Sequence, residues 1–435
     1  MTATRPIPLR YPEDVEHLDG AARGELRVPV CGSCGEAFWP PSPVCPRDFR
    51  RDVEWTTDAG TGRVHSWVRF HKRYFEGDDV PYVVVQVRLD SGPNLTTTWT
   101  GSGDPVLGEP VAVSFREVGD GVWLPEFGPG GAGVNPSREL AARIGPVGVW
   151  LSVLAEVPAA EAAKAAQVVE DLGYGALWIG ESPAHKEIFT NATLLLSATT
   201  RLTVATGVAT IWARDAVATE GATQTLGEAF PGRFVLGLGA SHAEAGRGNG
   251  HDRPLTALRE YLDVLDSDRY QGPRPDRAVP RVLAALRPRM QELARDRTAG
   301  MHSFFVPPAH TAAARERLGP EPLLVPEQAV VVDADAARAR EVARKHVATR
   351  LALRNYVNHL RALGFGDDDF ADGGSDRLVD ELVVCGDPQL VAARVREHLA
   401  AGADHVAIHP LTGTPGVEPV LDQLRALAAE GGIRS

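Results

Sequence analysis

The sequence predicts a parallel (β/α)8 barrel preceded by a small all-β domain, on three observations. Between residues 147 and 430, eight short apolar runs alternate with helical patterns. Runs without polar alternation are typical of strands buried on both faces, as in parallel sheets. Residues 55–124 instead show short alternating strands separated by turns. Residues 128–146 are rich in Gly and Pro and lack a strand pattern, so they predict a linker between the two domains.

The barrel is organised around one strand–helix–strand unit. Leu202–Val208 and Arg233–Leu238 are predicted strands, and Ala216–Ala229 between them has a helical pattern. This order predicts a parallel βαβ unit. In such a barrel the active site lies at the carboxyl ends of the strands. We therefore expect the chemistry in the segments that directly follow these strands, 211–215 and 239–242.

The remaining barrel elements repeat this order. Asp387-Pro388 predicts a helix start, since Asp is a favoured N-cap and Pro a favoured first helical residue. A doubly wound open sheet is the alternative fold, but no GxGxxG motif follows the first strand. The other predicted strands are 147–151, 176–179, 281–286, 302–306, 327–332 and 405–409. The predicted barrel domain is 147–435.

The overall composition excludes several functional classes. The formal net charge is −12, which argues against a general nucleic-acid binder, because phosphate neutralisation needs a basic face. No apolar run approaches the roughly eighteen residues of a transmembrane helix. The first fourteen residues lack the apolar core of a signal peptide. We therefore expect a cytoplasmic protein.

Cysteine spacing indicates a metal site at the start of the chain. Cys385 stands alone, and the other three cysteines are clustered, which favours metal binding over a disulfide framework. Two knuckles, CxxC and then CPxx, hold one zinc ion when all four positions are ligands. The alternative is a ribbon without metal, held together by apolar packing. The candidate ligands are Cys31, Cys34, Cys45 and Asp48, with a carboxylate in the fourth position.

The first domain, 1–127, resembles a known family. Its predicted strands are 63–70, 80–89, 95–99 and 111–115, of about five that would form a small barrel or sandwich. The segments CGSCGEAFWPPSPVCP, GTGRVHSW and VPYVVVQVRLDSGP resemble the rubredoxin-like zinc ribbon plus OB-fold family found beside thiolases and other acyl-CoA enzymes. The resemblance implies docking to a thiolase-like partner or binding of acyl-CoA or acyl-carrier substrates. It does not imply catalysis.

The second domain contains a series of motifs in a characteristic order: GVWLSVL, LGYGALWIGE, VATGVATIWARD, FPGRFVLGLGASH and AGADHVAIHPL. Together these motifs resemble the bacterial-luciferase-like superfamily, and within it the actinobacterial branch assigned to coenzyme F420. The resemblance implies a (β/α)8 barrel with the deazaflavin at the strand ends. Its ring is expected against a kinked third strand at Gly207, Val208 and Ala209, where a non-proline cis peptide is often found.

The same resemblance implies candidate catalytic residues. His242 follows the fourth strand, where relatives place a proton donor, and Glu181 follows the second strand. Each has a structural alternative, a solvated loop histidine and a structural acid. Arg287 either pairs with the cofactor phosphate or fills the phosphate pocket. The cofactor-binding candidates are Gly207, Val208, Ala209, Gly239, Ala240, Ser241, Ala285, Leu286 and Arg287.

The leading functional hypothesis is a coenzyme F420-dependent oxidoreductase. It would transfer a hydride to or from a small substrate, such as an acyl thioester of lipid, steroid or polyketide metabolism. One alternative is an FMN-dependent monooxygenase, and another is a barrel without cofactor that docks to a thiolase-like enzyme. Substrate, hydride direction and the presence of a homodimer are left open by the sequence.

Overall fold

The computed structural model describes residues 3–4, 11–76, 80–101, 103–119, 121–130, 136–182, 184–241, 253–267, 269–275 and 277–430. The chain folds into two compact units, Met1–Pro136 and Ser137–Ser435. Each unit is described separately. Among the described residues, no helix is both long and apolar enough to cross a bilayer.

The first unit contains a two-stranded ribbon and a five-stranded antiparallel sheet. Strands β2 and β3 form the ribbon, and the sheet has the order β7-β6-β4-β8-β9. A bridge between Trp99 and Phe127 links the ends of the outer strands. The elements are β1 Ala3–Thr4, α1 Val15–Ala22, β2 Leu26–Cys31, β3 Val53–Asp58, β4 Thr61–Phe70, β5 Phe75–Glu76, β6 Tyr82–Leu89, β7 Asn94–Thr98, β8 Pro110–Gly119 and β9 Val122–Pro129.

Alternation along β6 shows why this sheet forms. Val83, Val85, Val87 and Leu89 are buried in one cluster, while the residues between them are more exposed. Side chains at every second position of a strand share a face, so one face of β6 covers the core. The four predicted strand ranges correspond to β4, β6, β7 and β8.

The sequence analysis did not assign the fifth strand, β9. Its sequence, VWLPEFGP, carries Pro, Glu and Gly where an apolar strand would be expected. Glu126 in this strand is buried, and it accepts a hydrogen bond from Arg116 Nε of β8 at 2.6 Å. The ion pair between β8 and β9 therefore takes the place of the apolar contact that an ordinary alternating strand would make.

The second unit is a closed parallel barrel. Its eight strands follow the order β10-β11-β12-β14-β15-β16-β17-β19, and β19 pairs with β10 to close the ring. This closure confirms the predicted (β/α)8 barrel and excludes the open sheet. An additional strand, β18, pairs with the second half of β17. The strands are β10 Val147–Trp150, β11 Ala176–Ile179, β12 Thr203–Thr206, β13 Ala209–Thr210, β14 Phe234–Gly239, β15 Arg281–Ala284, β16 Gly300–Ser303, β17 Leu323–Val332, β18 Val383–Gly386 and β19 Val406–Pro410.

Helices follow the strands and cover the barrel. Asp387 caps α13 by accepting a hydrogen bond from Leu390 N at 2.9 Å, as the sequence predicts. Asp215 caps α5 in the same way, from Ala218 N at 2.8 Å. The helices are α2 Pro136–Ile144, α3 Ala159–Asp171, α4 Ile188–Ala198, α5 Ala216–Ala229, α6 Pro254–Leu265, α7 Pro288–Arg297, α8 Pro308–Leu318, α9 Ala336–Leu351, α10 Arg354–Ala362, α11 Asp367–Phe370, α12 Asp376–Leu382, α13 Pro388–Ala400 and α14 Glu418–Glu430.

Helix α2 occupies part of the range assigned to the linker, 128–146. Leu140 and Ile144 of this helix are buried in a cluster with Trp178 and other inward-facing barrel residues. Ser137 Oγ also donates a hydrogen bond to Ala299 O at 2.6 Å. The second half of the expected linker is therefore a helix of the barrel unit rather than a free connection.

Several barrel strands differ from their predicted bounds, and at two of them the backbone departs from a regular strand. β16 ends at Ser303, one residue after the predicted start at His302, and Phe305 then has a φ of 63°, which takes the chain out of extended backbone. The predicted third strand is split into β12 and β13 at Gly207–Val208, whose peptide bond is cis. Across this split, the Thr206 hydroxyl is 2.7 Å from both Gly237 N and Gly237 O.

Candidate active site

A cavity of about 1400 Å³ opens at the carboxyl ends of the barrel strands. Its wall includes the ends of β10, β11, β14 and β15 and the start of α10. Most of the predicted site residues line it: Glu181, Gly207, Val208, Ala240, Ser241, Ala285, Leu286 and Arg287. Ala209 and Gly239 lie in the adjoining β13–β14 ladder, and His242 lies outside the described residues. The structure thus brings the described candidates to one cavity, and their roles stay predictions.

Gly207 forms a close contact at the third strand. Trp150 Nε1 donates a hydrogen bond to Gly207 O at 2.8 Å. A Cβ atom on Gly207 would lie 2.8 Å from the same indole nitrogen, so any larger residue requires the tryptophan to move. The kink at Gly207 and the position of Trp150 are therefore coupled.

Glu181 is held by an arginine of the same rim. Its Oε2 accepts hydrogen bonds from Thr210 N at 2.7 Å and from Arg214 Nη1 at 3.2 Å, and its Oε1 bonds with Arg214 Nη2. Both side chains are largely buried, with exposures of 9% and 14%. Both carboxylate oxygens are thus engaged, which favours the structural acid among the two roles considered for Glu181.

Arg214 is the centre of this paired group. It also contacts Glu187 at 2.9 Å and lies over the ring of Phe189 at 4.9 Å. Burial opposes its charge, but the hydrogen bonds and charges of Glu181 and Glu187 raise the pKa of the guanidinium. Next to it, Trp212 Nε1 donates to Ala240 O at 2.6 Å. Arg214 and Trp212 therefore fix this rim of the cavity.

The opposite rim carries arginines without carboxylate partners. Arg287, Arg289 and Arg350 line the cavity, and no ion pair among the described residues involves any of them. Arg287 Nη2 is 3.4 Å from Asn355 Oδ1 and is otherwise exposed. Burial lowers the pKa of Arg350, because its charge is partly removed from water. This side of the cavity can therefore attract an anionic group.

Aromatic rings form the inner wall. The ring centroids of Trp150 and Phe304 are 5.0 Å apart, those of Phe304 and Tyr356 are 6.4 Å apart, and Arg350 lies over Phe304 at 5.7 Å. Burial raises the pKa of Tyr356, so its hydroxyl stays protonated. Walls lined mainly by aromatic and apolar side chains, with a few polar groups, are typical of pockets for small molecules and cofactors.

His302 is a cavity residue whose role the sequence analysis missed. Its Nδ1 lies 3.0 Å from Val325 O, so Nδ1 carries the proton and Nε2 is an acceptor without a partner among the described residues. Burial lowers its pKa to about 4, which keeps the ring neutral. The ring stacks on Trp178 at 4.9 Å. A histidine within a predicted strand was the available signal.

The cysteine cluster of the first unit has the arrangement expected of a zinc ribbon. Cys34 Sγ and Cys45 Sγ are 3.8 Å apart, and Cys31 Sγ is 3.6 Å from Asp48 Oδ2. All four potential ligand atoms lie within 4.8 Å of one another. Tetrahedral zinc with Zn–S bonds of about 2.3 Å separates its sulfur ligands by about 3.8 Å. The three thiols and the carboxylate therefore fit one zinc ion.

The (β/α)8 barrel supports many activities, so the fold alone does not assign one, and comparison with known families narrows the choice. Residues 145–405 match the family described as luciferase-like monooxygenase. Because this match covers more than half of the sequence, the chain belongs to that family. The match confirms the resemblance stated from the sequence and the expectation of an oxidoreductase.

The first unit matches two domain families. Residues 18–54 match the rubredoxin-like zinc ribbon domain of ChsH2, and residues 55–116 match its C-terminal OB-fold domain. The chain is also 31% identical over 129 residues to a probable enoyl-CoA hydratase alpha subunit of Thermomonospora curvata. That similarity covers 29% of this chain and spans only 40% of the relative's length.

The barrel has its own relatives. The chain is 25% identical over 292 residues to 5,10-methylenetetrahydromethanopterin reductase of Methanolobus tindarius, covering 57% of this chain and 90% of the relative. A solved structure of an F420-dependent secondary alcohol dehydrogenase with an F420-acetone adduct has a TM-score of 0.52 at 16% identity. It covers 65% of this chain and 98% of the dehydrogenase, and this likeness shows the shared fold.

Proposed function

We propose that the barrel is a coenzyme F420-dependent oxidoreductase acting on a small organic substrate. The observation that carries the proposal is that one cavity combines an aromatic wall with a rim of arginines that form no ion pair among the described residues. The deazaflavin cofactor needs both, since a planar ring joins an anionic tail. The similarity to the methanopterin reductase and the fold of the F420-dependent alcohol dehydrogenase support this assignment.

The residues of this chain would divide the work of holding the cofactor. Gly207 and Val208 would face the ring, with Trp150 fixing Gly207 through its hydrogen bond. Arg287 would pair with the phosphate, because a guanidinium forms charge-assisted hydrogen bonds with phosphate oxygens. When bound, the deazaflavin accepts or gives a hydride at C5 and does not support flavin-type oxygen chemistry.

A proton must also move in such a reaction. His242 remains our candidate for the proton donor, because an imidazole with an ordinary pKa near 6.5 can give or take a proton at neutral pH. Glu181 would act indirectly, by holding Thr210 N and Arg214 next to the cofactor ring.

The first unit supports a narrower proposal about the substrate. Its matches to a zinc ribbon and an OB-fold, and its similarity to part of a probable enoyl-CoA hydratase subunit, favour an acyl thioester and docking to a thiolase-like partner. The Cys31, Cys34, Cys45 and Asp48 group would hold one zinc ion that stabilises the ribbon.

Spectral titration tests the proposed function. The purified full-length chain is titrated separately with coenzyme F420 and with FMN while absorbance and fluorescence are followed. We expect saturable binding of F420. Binding of FMN alone would favour the monooxygenase. Binding of neither, together with F420 binding by Arg287→Gly, would identify Arg287 as a plug and favour the docking protein without cofactor.

A further inference from the structure

A second group of metal-ligating side chains lies inside the barrel unit. Glu327 is on β17, His409 is on β19 and His346 is on α9. One potential ligand atom from each residue lies within 4.8 Å of the other two. All three residues are buried, with exposures of 1%, 5% and 8% for Glu327, His409 and His346 in that order. Two imidazoles and one carboxylate form a common ligand set for zinc and for ferrous iron.

The carboxylate of this group lacks a contact with a full positive charge. Glu327 Oε1 is 2.8 Å from His409 Nδ1, and Oε2 accepts a hydrogen bond from Phe305 N at 3.0 Å. No lysine or arginine among the described residues lies within 4 Å of it. Arg350 interacts with Glu327 electrostatically from beyond ion-pair distance, and its guanidinium lies over Phe304 at the cavity wall. A buried carboxylate is costly unless a cation or several donors compensate its charge.

One of the two histidines leaves a buried ring nitrogen without a partner among the described residues. His346 Nε2 is buried and has no hydrogen-bond partner among the described residues. His409 lies between Trp150 and His346, with ring centroids at 4.5 Å and 5.3 Å. Burying an imidazole nitrogen without a partner is unfavourable. We therefore expect a partner here, either a metal ion that accepts the lone pair or a water that donates a hydrogen bond to it.

We propose that Glu327, His346 and His409 bind one divalent transition-metal ion, zinc or ferrous iron. Two nitrogen ligands favour these ions over magnesium and calcium, which prefer oxygen. Bonds of about 2.1 Å in a tetrahedral site place ligand atoms about 3.4 Å apart, so rotations that shift these atoms by about 1 Å would close the group around an ion. The ion would supply the charge that Glu327 lacks and a partner for His346.

The site would position part of the cavity wall. It would tie α9 to β17 and β19, and Arg350 follows His346 by about one helical turn on α9. Because Trp150 and Phe304 also surround His409, the ion would lie behind the wall rather than touch the ligand. The metal therefore has a positioning role that is independent of whether F420 binds.

Metal analysis of the full-length chain tests the proposal. The protein is purified, loaded with Zn²⁺ or Co²⁺, and its metal content is measured per chain. His346→Gln and Glu327→Gln are compared with Cys34→Ser, which removes a ligand of the ribbon instead. We expect each of the two barrel variants to bind one equivalent of metal per chain less than the wild type. This expected difference in metal content between variant and wild type does not depend on whether the ribbon itself carries metal.

Cobalt spectra separate the two locations. Thiolate ligands give Co²⁺ intense charge-transfer absorption, which a site of nitrogen and oxygen ligands lacks. We expect His346→Gln to keep any thiolate bands and to lose weak visible bands, which Cys34→Ser retains. Circular dichroism checks folding of each variant. Equal metal content in the wild type and in both folded barrel variants would overturn the proposal and leave an ordered water as the partner of His346.

Discussion

Both rims of the cavity carry arginines, but only one rim pairs an arginine with a buried carboxylate. On the rim after β11 and β13, Glu181 and Arg214 neutralise each other and are largely buried. On the rim formed by β15, α9 and α10, Arg287 and Arg350 have no carboxylate partner among the described residues. Charges that are paired inside the protein stabilise the fold, whereas unpaired charges at a cavity are available to a ligand.

The contrast predicts that substitutions on the paired rim lower stability, whereas substitutions on the rim without ion pairs weaken ligand binding. Breaking a buried ion pair leaves an uncompensated charge and costs stability. Removing an exposed arginine without a partner changes stability little, but removes attraction for anions. The chain has a net charge of −12, so these arginines form a locally positive region on a negatively charged protein.

The largest expected effect is on the paired rim. Glu181→Ala should lower the free energy of unfolding by about 3–5 kcal/mol, because it leaves Arg214 with one exposed partner and frees Thr210 N. Urea denaturation measures the change. Glu187→Gln is the control, with an expected loss within about 1 kcal/mol, because it removes the charge of the 45% exposed Glu187 but keeps an oxygen that can accept from Thr190 N at the start of α4. Equal losses for the two variants would show that the burial of Glu181 is not what matters.

The next effect concerns catalysis. If His242 donates the proton, His242→Ala should reduce turnover by roughly 10²-fold while F420 binding is nearly unchanged. Steady-state kinetics and spectral titration measure the two quantities separately. Glu181→Gln, which keeps a hydrogen-bonding side chain, is the comparison for the opposite assignment. A larger loss of turnover in Glu181→Gln than in His242→Ala would make Glu181 the proton donor.

The unpaired rim should affect binding alone. Arg287→Ala should weaken F420 binding by about 1.5–3 kcal/mol, which is about ten- to a hundred-fold in affinity. Its melting temperature should stay close to that of the wild type. Arg295→Ala, at an exposed position on helix α7, which begins directly after Arg287, is the control and should bind normally. Unchanged affinity in Arg287→Ala would move the phosphate site away from this rim.

The smallest effect tests the contact between the first and third strands. Trp150→Phe keeps an aromatic ring but removes the hydrogen bond to Gly207 O, which should cost about 1 kcal/mol of stability. Thermal unfolding with and without F420 measures it. A loss that appears only in the presence of F420 would mean that the bond forms part of the ligand site rather than of the resting fold.

The fold was predictable because its signals are local. The barrel strands are continuous apolar runs, and the ribbon ligands follow a short cysteine spacing. β9 was missed because its pattern is completed by an ion pair between Arg116 and Glu126, on different strands. A single strand does not reveal such a partner.

The site was harder to predict, because its parts come together only in the barrel. Glu181 gains its structural role from Arg214, thirty-three residues further on. Arg350 and Tyr356 lie on helices to which the sequence assigned no role at the site, and only the closed barrel brings them beside Trp150 and Phe304. The sequence identified the strand ends that face the cavity, but not the helices that form its other wall.

The hydroxyl of Thr206 has a consequence for the motions of the barrel. At the split between β12 and β13, this side chain bonds both the amide and the carbonyl of Gly237, where the neighbouring backbone does not complete the ladder. A side chain can rotate away without unfolding a strand, so this seam can open locally. The Gly237 amide should therefore exchange with solvent deuterium faster than the Val235 amide of the same strand. Such a difference would mark Gly237 as a position where the barrel opens locally.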